Sequence, residues 1–329
     1  MKAGVVLQGV DPPEEFRQRV RRIEELGFST LWLTDSSLHA RNCWSYLTLA
    51  AGVSDRLLLG TAVTNPVTRH PGVTAAAAAT VDEISAGRLL FGIGAGDRPL
   101  HALDLAPARL ATLRASIEAT RRLLAGEHVT MDDPSFRLRD AHLRFPARAD
   151  VPVYISASGP KTLELAGEIA DGVILLCGLF HEGVTWAIER IDAGARRSGR
   201  PRPHVAVFAY GAIDDDDPAT ALEAGRSIAA WFPQTAPDYC ALAGLDPAIT
   251  EAVRANYAGG EFQEAGAAAQ LLPDDFVRRM ALAGDSALAR HHVETLAAIG
   301  VDSVNVFPLG ARRAETIEAF AAVVQDVLG

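Results

Sequence analysis

The chain has 329 residues, 49% of them hydrophobic, and its 31 Lys and Arg against 41 Asp and Glu give a formal net charge of −10. Such a length buries a large core, either as one long α/β barrel or as two ordinary domains. The negative balance opposes non-specific attraction to nucleic acid or to an anionic membrane, and Cys43, Cys177 and Cys240 lack the spacing of a disulfide framework or a zinc site.

At the N-terminus, residues 1–8 reach Asp11, Pro12 and Pro13 before a signal-peptide core forms. No later stretch is as long and apolar as a membrane-spanning helix needs to be. The expected setting is cytoplasmic, with a small-molecule substrate and neither nucleic acid nor membrane as partner.

Short runs rich in Val, Ile and Leu predict strands at 3–9, 29–35, 56–63, 88–94, 151–156, 172–177, 204–210 and 302–307. Amphipathic stretches between and after them predict helices at 12–26, 44–53, 70–85, 107–125, 160–170, 183–198, 218–231 and 311–328. Gly27, Gly87, Gly126 and Gly300 read as helix stop signals. Eight alternations of this kind predict a (β/α)8 TIM barrel, taken as a single domain over 1–329.

Two stretches exceed what barrel connections require. Residues 127–146 alternate apolar and polar side chains around Asp132, Asp133 and Pro134, which predicts a hairpin before the fifth strand. Residues 232–284, between the seventh and eighth strands, carry Phe232, Tyr239, Tyr257 and Phe262 and are broken at Pro237, Pro247, Gly259, Gly260 and Pro273. This second insertion reads either as a lid over the barrel mouth or as a peripheral helical layer packed on outer helices or a second subunit. The acidic run 214–217 reads as a solvated loop, and His291 with His292 carries no metal signal because adjacent helical positions diverge.

In such a barrel the chemistry lies at the carboxyl ends of the strands. Here they read Thr34-Asp35-Ser36-Ser37, Ala62-Val63-Thr64-Asn65, Gly92-Ile93-Gly94-Ala95-Gly96-Asp97, Ser156-Ala157-Ser158-Gly159-Pro160-Lys161 and Cys177-Gly178. Ser158, Gly159, Pro160 and Lys161 suit a phosphate cradle at a helix N-terminus, although Ser-Gly-Pro is also simply a good helix start. The run 92–97 lacks the spacing of a dinucleotide site, so its glycines read as room for a ligand or a neighbouring strand.

Together TDS at 34–36, LGTAVTNPVTRHP at 59–71, DEISAGRLLFGIGAGD at 82–97 and VPVYISASGPKTLELAGEIADGV at 151–173 resemble the luciferase-like superfamily. The resemblance is to its branch of methylenetetrahydromethanopterin reductase-like enzymes that use coenzyme F420 or flavin. It implies a deazaflavin or isoalloxazine ring against a bulge in the third strand, with a non-prolyl cis peptide at Ala62-Val63. It also implies that Asp35, Thr64, Asn65, Gly94, Gly96 and Asp97 line the ring and ribityl chain. By the same resemblance Ser158, Gly159, Pro160 and Lys161 meet the phosphate, Cys177 and Gly178 form a wall, and the enzyme is a homodimer.

Many members have His after the second-strand acid, where this chain has Ser36. An imidazole suits proton transfer and a serine hydroxyl does not, so a His-dependent alcohol oxidation is in doubt. Asp35 and Ser36 stand as the catalytic candidates, with His39, Arg41 and His70 on neighbouring loops. His39, Trp44, Phe232 and Tyr257 are the substrate-side candidates, with core packing the other reading of Trp44, Phe232 and Tyr257, and the sequence alone does not assign Arg69, Arg98 or Lys161 to an oligoglutamate tail. The expected activity is F420-dependent hydride transfer at C5 to an imine, iminium or activated alkene. Its alternatives are an FMN-dependent monooxygenase using O2 and a non-catalytic cofactor-binding relative.

Overall fold

A computed structural model describes residues 1–258 and 262–329, without the side chains of Arg98, Phe262 and Gln263. Gly259 and Gly260, named above as a break in the second insertion, lie outside the described residues, as do the side chains of Phe262 and Arg98.

The strands are β1 Lys2–Leu7, β2 Thr30–Leu33, β3 Leu58–Thr61, β4 Leu89–Ile93, β5 Val129–Asp133, β6 Phe136–Ala141, β7 Val153–Ala157, β8 Gly172–Leu175, β9 His204–Ile213, β10 Leu282–Gly284 and β11 Ser303–Pro308. Pairing runs β9-β11-β1-β2-β3-β4-β7-β8 and returns from β8 to β9, so eight strands close into a TIM barrel. These are the eight strands expected from the sequence. Helices follow them at Pro13–Glu25, Cys43–Ala51, Pro71–Ile84, Leu110–Leu124, Pro160–Ile169, His181–Ser198, Pro218–Ala229 and Arg313–Leu328.

By internal contacts the chain divides into two compact units, one of Val6–Ser156 with Ala170–Gly172, the other of Met1–Val5, Ala157–Ile169 and Val173–Gly329. In the first, large rings fill space that glycines leave open. Trp32 is paired with Gly60 across β2 and β3, and a Cβ on Gly60 would lie 2.1 Å from the indole. Tyr154 covers Gly172 in the same way, its ring 2.1 Å from where a Cβ would stand, and it meets Trp32 edge-on at 5.3 Å. Such complementarity of large and small residues fills this part of the unit's core.

The first insertion is the expected hairpin: β5 and β6 pair antiparallel, and Asp133 accepts the N–H of Ser135 at 2.9 Å to tighten the turn. Its alternate side chains Val129, Phe136 and Leu138 pack with Ala75, Ala119 and Leu123.

The second insertion contains helices Trp231–Thr235, Pro237–Leu242, Pro247–Asn256 and Asp274–Met280 before β10 and helix Ser286–Ile299. It packs on His181–Ser198 and Pro218–Ala229, outer helices of its own unit. Buried Arg226 ties it down through Glu223, the Leu272 carbonyl and Asp274. The strand β10 was not expected; it joins β9 in parallel, with Leu282 opposite Gly211. Glycine is needed there because a Cβ would lie 1.8 Å from the Leu282 carbonyl oxygen.

The acidic run is the loop before a helix that the sequence predicts, exposed at Asp215, Asp216 and Asp217, and it also ties neighbouring segments together. Asp214 is buried and accepts the N–H groups of Asp216 and Asp217 and a 2.6 Å bond from Arg312, which together hold its carboxyl below the usual range. Asp215 takes the Ser286 N–H and hydroxyl, and Asp217 caps the next helix through Thr220. Among the described residues no helix is long and apolar enough to cross a membrane.

Candidate functional site

In the unit Val6–Ser156, the pairs Leu59 with Leu89 and Gly60 with Leu90 are followed by Thr64 with Ile93. Four steps on β3 therefore match three on β4, and one residue bulges out between Thr61 and Thr64. A bulge strands backbone groups on the neighbouring strand, and here the Thr61 hydroxyl takes both. It donates to the Gly92 carbonyl at 2.6 Å and accepts the Gly92 N–H at 2.9 Å. Gly92 has to lack a side chain, since a Cβ would lie 1.9 Å from the Thr61 carbonyl oxygen.

Beyond the bulge, Thr64 donates its N–H to Gly92 and accepts that of Gly94, which restores the ladder. The Ala62-Val63 peptide bond is cis, at the position the resemblance implies. Ala62 and Val63 are half-buried, whereas Thr61, Thr64 and Asn65 around them are buried.

Thr64 reaches back to β2. Its hydroxyl donates to Asp35 at 2.8 Å, and Arg69 forks onto the same carboxylate with Nε to Oδ2 at 2.7 Å and Nη2 to Oδ1 at 3.0 Å. The Asp35 side chain is 4% exposed and that of Arg69 19%. This hydrogen-bonded pairing raises the guanidinium pKa further, while burial, with the Asp35 charge beside it, pushes the Cys43 thiol well above its ordinary value. Arg69 is thus engaged by Asp35, which the sequence alone did not assign. Asp35 in turn is engaged through both oxygens, which suits holding a strand end better than exchanging a proton.

Other expected residues in this unit divide in the same way. The Asn65 side-chain carbonyl accepts the N–H groups of Val67 and Thr68 and the Thr68 hydroxyl, so it shapes the loop after β3. Gly94 lets Val63 lie against β4, where a Cβ would come within 2.9 Å of Val63 Cγ2. Gly96 has φ +96°, beyond easy reach of a residue with a side chain, and Asp97 precedes the short helix Arg98–Leu103. Ser36 is half-buried, and its carbonyl accepts from His39 and Ala40, curling that loop tightly.

His70 is not a proton-transfer group. Its Nδ1 accepts the Gly72 N–H at 3.1 Å and caps helix Pro71–Ile84, which leaves the hydrogen on Nε2 to meet the Arg137 carbonyl at 3.1 Å. Arg41 binds the Val10 and Asp11 carbonyls. Trp44 lies with Ser45, Thr48, Ala76, Ala77, Thr80 and Val81 around a cavity of about 340 Å³ between two outer helices, which fits the packing reading of this residue.

In the other unit, the Gly159 carbonyl accepts the first helical bonds, from Thr162 at 3.1 Å and Leu163 at 3.0 Å, with Pro160 opening helix Pro160–Ile169. Beyond its chain neighbours nothing lies within 4 Å of where a Cβ on Gly159 would stand, and Lys161 is exposed. The Ser158 hydroxyl donates to the Leu176 carbonyl at 3.1 Å, and its own carbonyl accepts the Tyr239 hydroxyl at 3.1 Å.

Burial corrects the wall expected at Cys177 and Gly178 and selects the packing role of Phe232 and Tyr257. Cys177 is 0% exposed, its thiol pushed up to about 12 by desolvation, and Gly178 is buried behind it, so neither offers a wall to a ligand. Phe232 is equally enclosed, edge-on to Trp231 and Tyr239, and Tyr257 is 3% exposed; both are core residues. The sequence reading missed the stacked pair Tyr210 and Phe307, directly paired across β9 and β11 near their carboxyl ends with rings 4.4 Å apart. An aromatic near each of these strand ends was the available signal.

The sequence profile of the luciferase-like monooxygenases matches residues 1–303. The chain is 32% identical over 323 residues to a 5,10-methylenetetrahydromethanopterin reductase of Methanolobus tindarius, covering 97% of this chain and 98% of the relative. It is 34% identical over 219 residues to an F420-dependent glucose-6-phosphate dehydrogenase of Beutenbergia cavernae, covering 62% and 65%. The structure of the coenzyme F420-dependent tetrahydromethanopterin reductase from Methanopyrus kandleri superposes with a TM-score of 0.86 at 28% identity, covering 100% of this chain and 99% of that one.

Proposed function

The chain belongs to the luciferase-like monooxygenase family, and from that premise we propose that it is a coenzyme F420-dependent oxidoreductase acting on a small organic substrate. The observation that supports this most is the full-length similarity to a methylenetetrahydromethanopterin reductase. When bound, the deazaflavin would supply hydride chemistry at C5, and the reading takes an imine, iminium or activated alkene as the partner carbon.

The residues present fit such a group. Ala62 and Val63 stand half-exposed on the β3 bulge, where the small Ala62 leaves room for a flat ring. Thr64 and the Asp35–Arg69 pair brace that bulge, and Gly94 and Gly96 border it. In the other unit, taken by itself, the backbone around Gly159 is open to an anion, and Lys161 adds positive charge at the start of a helix.

Orientation and exclusion of water would then be the protein's main contributions. Ser36, whose hydroxyl is less suited to proton transfer than the imidazole many family members carry there, would help to fix the ring. Asp35 would act by fixing the bulge. An Asp35→Ala variant with unaltered cofactor affinity and turnover would remove that role.

The same reading takes the enzyme as a homodimer through an outer helix pair. Helix Pro71–Ile84 presents Val73 and Ile84, 58% and 48% exposed, on its outer face. A monomeric mass in solution would discard the dimer.

Titration of the purified protein with F420 and with FMN, followed by ring fluorescence, tests the cofactor. Binding of F420 with no binding of FMN is expected. Tight FMN binding without F420 binding would replace the reading by a flavin monooxygenase, and F420 binding without any redox turnover would make the protein a non-catalytic binder.

A further inference from the structure

We propose that Tyr239, inside the second insertion, is a positioning residue for cofactor binding: its hydroxyl sets the backbone of the 158–161 loop for the phosphate. This rests on the reading of that loop as the phosphate cradle. Tyr239 stands on helix Pro237–Leu242 and is 0% exposed, enclosed by Trp186 edge-on at 5.3 Å and by Phe232 at 6.1 Å. Its one polar atom is directed at the Ser158 carbonyl, 3.1 Å away and 81 residues distant in sequence.

A buried phenol needs a partner, and burial keeps it protonated and therefore a donor. In a trans peptide the C=O and the following N–H point in opposite directions. Drawing the Ser158 carbonyl toward Tyr239 therefore turns the Gly159 N–H away from the insertion. The Ser158 hydroxyl is meanwhile anchored on the Leu176 carbonyl at 3.1 Å, so side chain and carbonyl are both fixed. The helix holds the Gly159 carbonyl, but on its amide side Gly159 has no Cβ, and nothing beyond its chain neighbours lies within 4 Å of where one would stand. The tyrosine supplies the constraint that the glycine lacks. An anion would meet donors already oriented instead of paying to order them.

The test compares F420 with the phosphate-free deazaflavin that ends at the ribityl chain. For Tyr239→Phe the dissociation constant of F420 should rise roughly five- to tenfold, as for one lost hydrogen bond, with that of the phosphate-free compound unchanged. Trp186→Leu loosens the same packing but leaves the hydroxyl bond, and it should keep the ratio of the two affinities at the wild-type value.

Equal weakening of both ligands by Tyr239→Phe, no weakening at all, or the same change of ratio in Trp186→Leu would each overturn the proposal. Wild-type protein that binds both compounds equally well would instead show that the 158–161 loop is no phosphate site, a failure visible without any variant. Thermal melts by circular dichroism confirm that each variant is folded at the temperature of measurement.

Discussion

Asp35 and Arg69 illustrate how a single residue's role depends on what folding brings beside it. An acid at the end of the second strand is visible in the chain, and it invites a catalytic reading. Its partner comes from 34 positions further on and forks onto both carboxylate oxygens. Removing one member of a largely buried pair leaves the other charge uncompensated, at a cost of about 2–4 kcal/mol. Asp35→Leu should therefore lower stability by about that amount in urea unfolding. Asp35→Leu with Arg69→Met should recover a good part, because neither charge is then stranded. If the double variant were no more stable than the single one, the pair would not be the reason Asp35 is held there.

The β3 bulge poses the same question for an element. Alternation of apolar residues locates the strand to within two or three positions but is silent about one residue of slippage against β4. The slip is decided by Thr61, whose hydroxyl satisfies the two Gly92 backbone groups. Thr61→Val keeps the shape and removes both bonds, leaving a buried N–H without its acceptor. The expected cost is about 2–3 kcal/mol by chemical denaturation, together with weaker cofactor binding as the bulge loosens. Cofactor affinity unchanged in a destabilised variant would separate the bulge from the ring site. The hairpin of β5 and β6, by contrast, was readable in advance because its register and turn are set by neighbours in sequence. Tyr239 and the 158–161 loop belong with the bulge, since nothing local to either predicts the bond between them.

Across the whole molecule, charge and buried titrating groups set the response to solution conditions. A net charge of −10 predicts no retention on heparin at neutral pH and low salt, and retention would reveal a basic face that the total conceals. His292 is buried beneath the turn after β8, its Nδ1 donating to the Leu179 carbonyl, and desolvation lowers its pKa from 6.5 to about 4. The folded protein therefore refuses a proton that the unfolded chain accepts below pH 6.5. Stability falls as pH drops from 6.5 toward 4, by about 2 kcal/mol between pH 6.5 and 5.

Desolvation lowers the His204 pKa as well and adds in the same direction. Carboxylates such as Asp214 and Glu24, held below their ordinary values, stabilise the fold above the usual carboxylate range. That contribution is lost in turn as pH falls through their lowered values. Urea midpoints measured from pH 7 to 4.5 test the first step, and His292→Leu should flatten it.

The sequence by itself determined the eight alternations of strand and helix, the hairpin, the strand ends that carry small and polar residues, and the family resemblance built on them. Each follows from periodicity and turn chemistry acting over a few neighbouring residues. Only the tertiary structure decided that Arg69 is spent on Asp35, that His70 caps a helix, and that Cys177, Phe232 and Tyr257 are enclosed. The same holds for the acidic run as a set of ties, β10 as a ninth member of the sheet, and Tyr239 as the support of the 158–161 loop. Those outcomes depend on which side chains from distant segments reach a buried polar group first, and burial makes each such group take whatever partner the fold supplies.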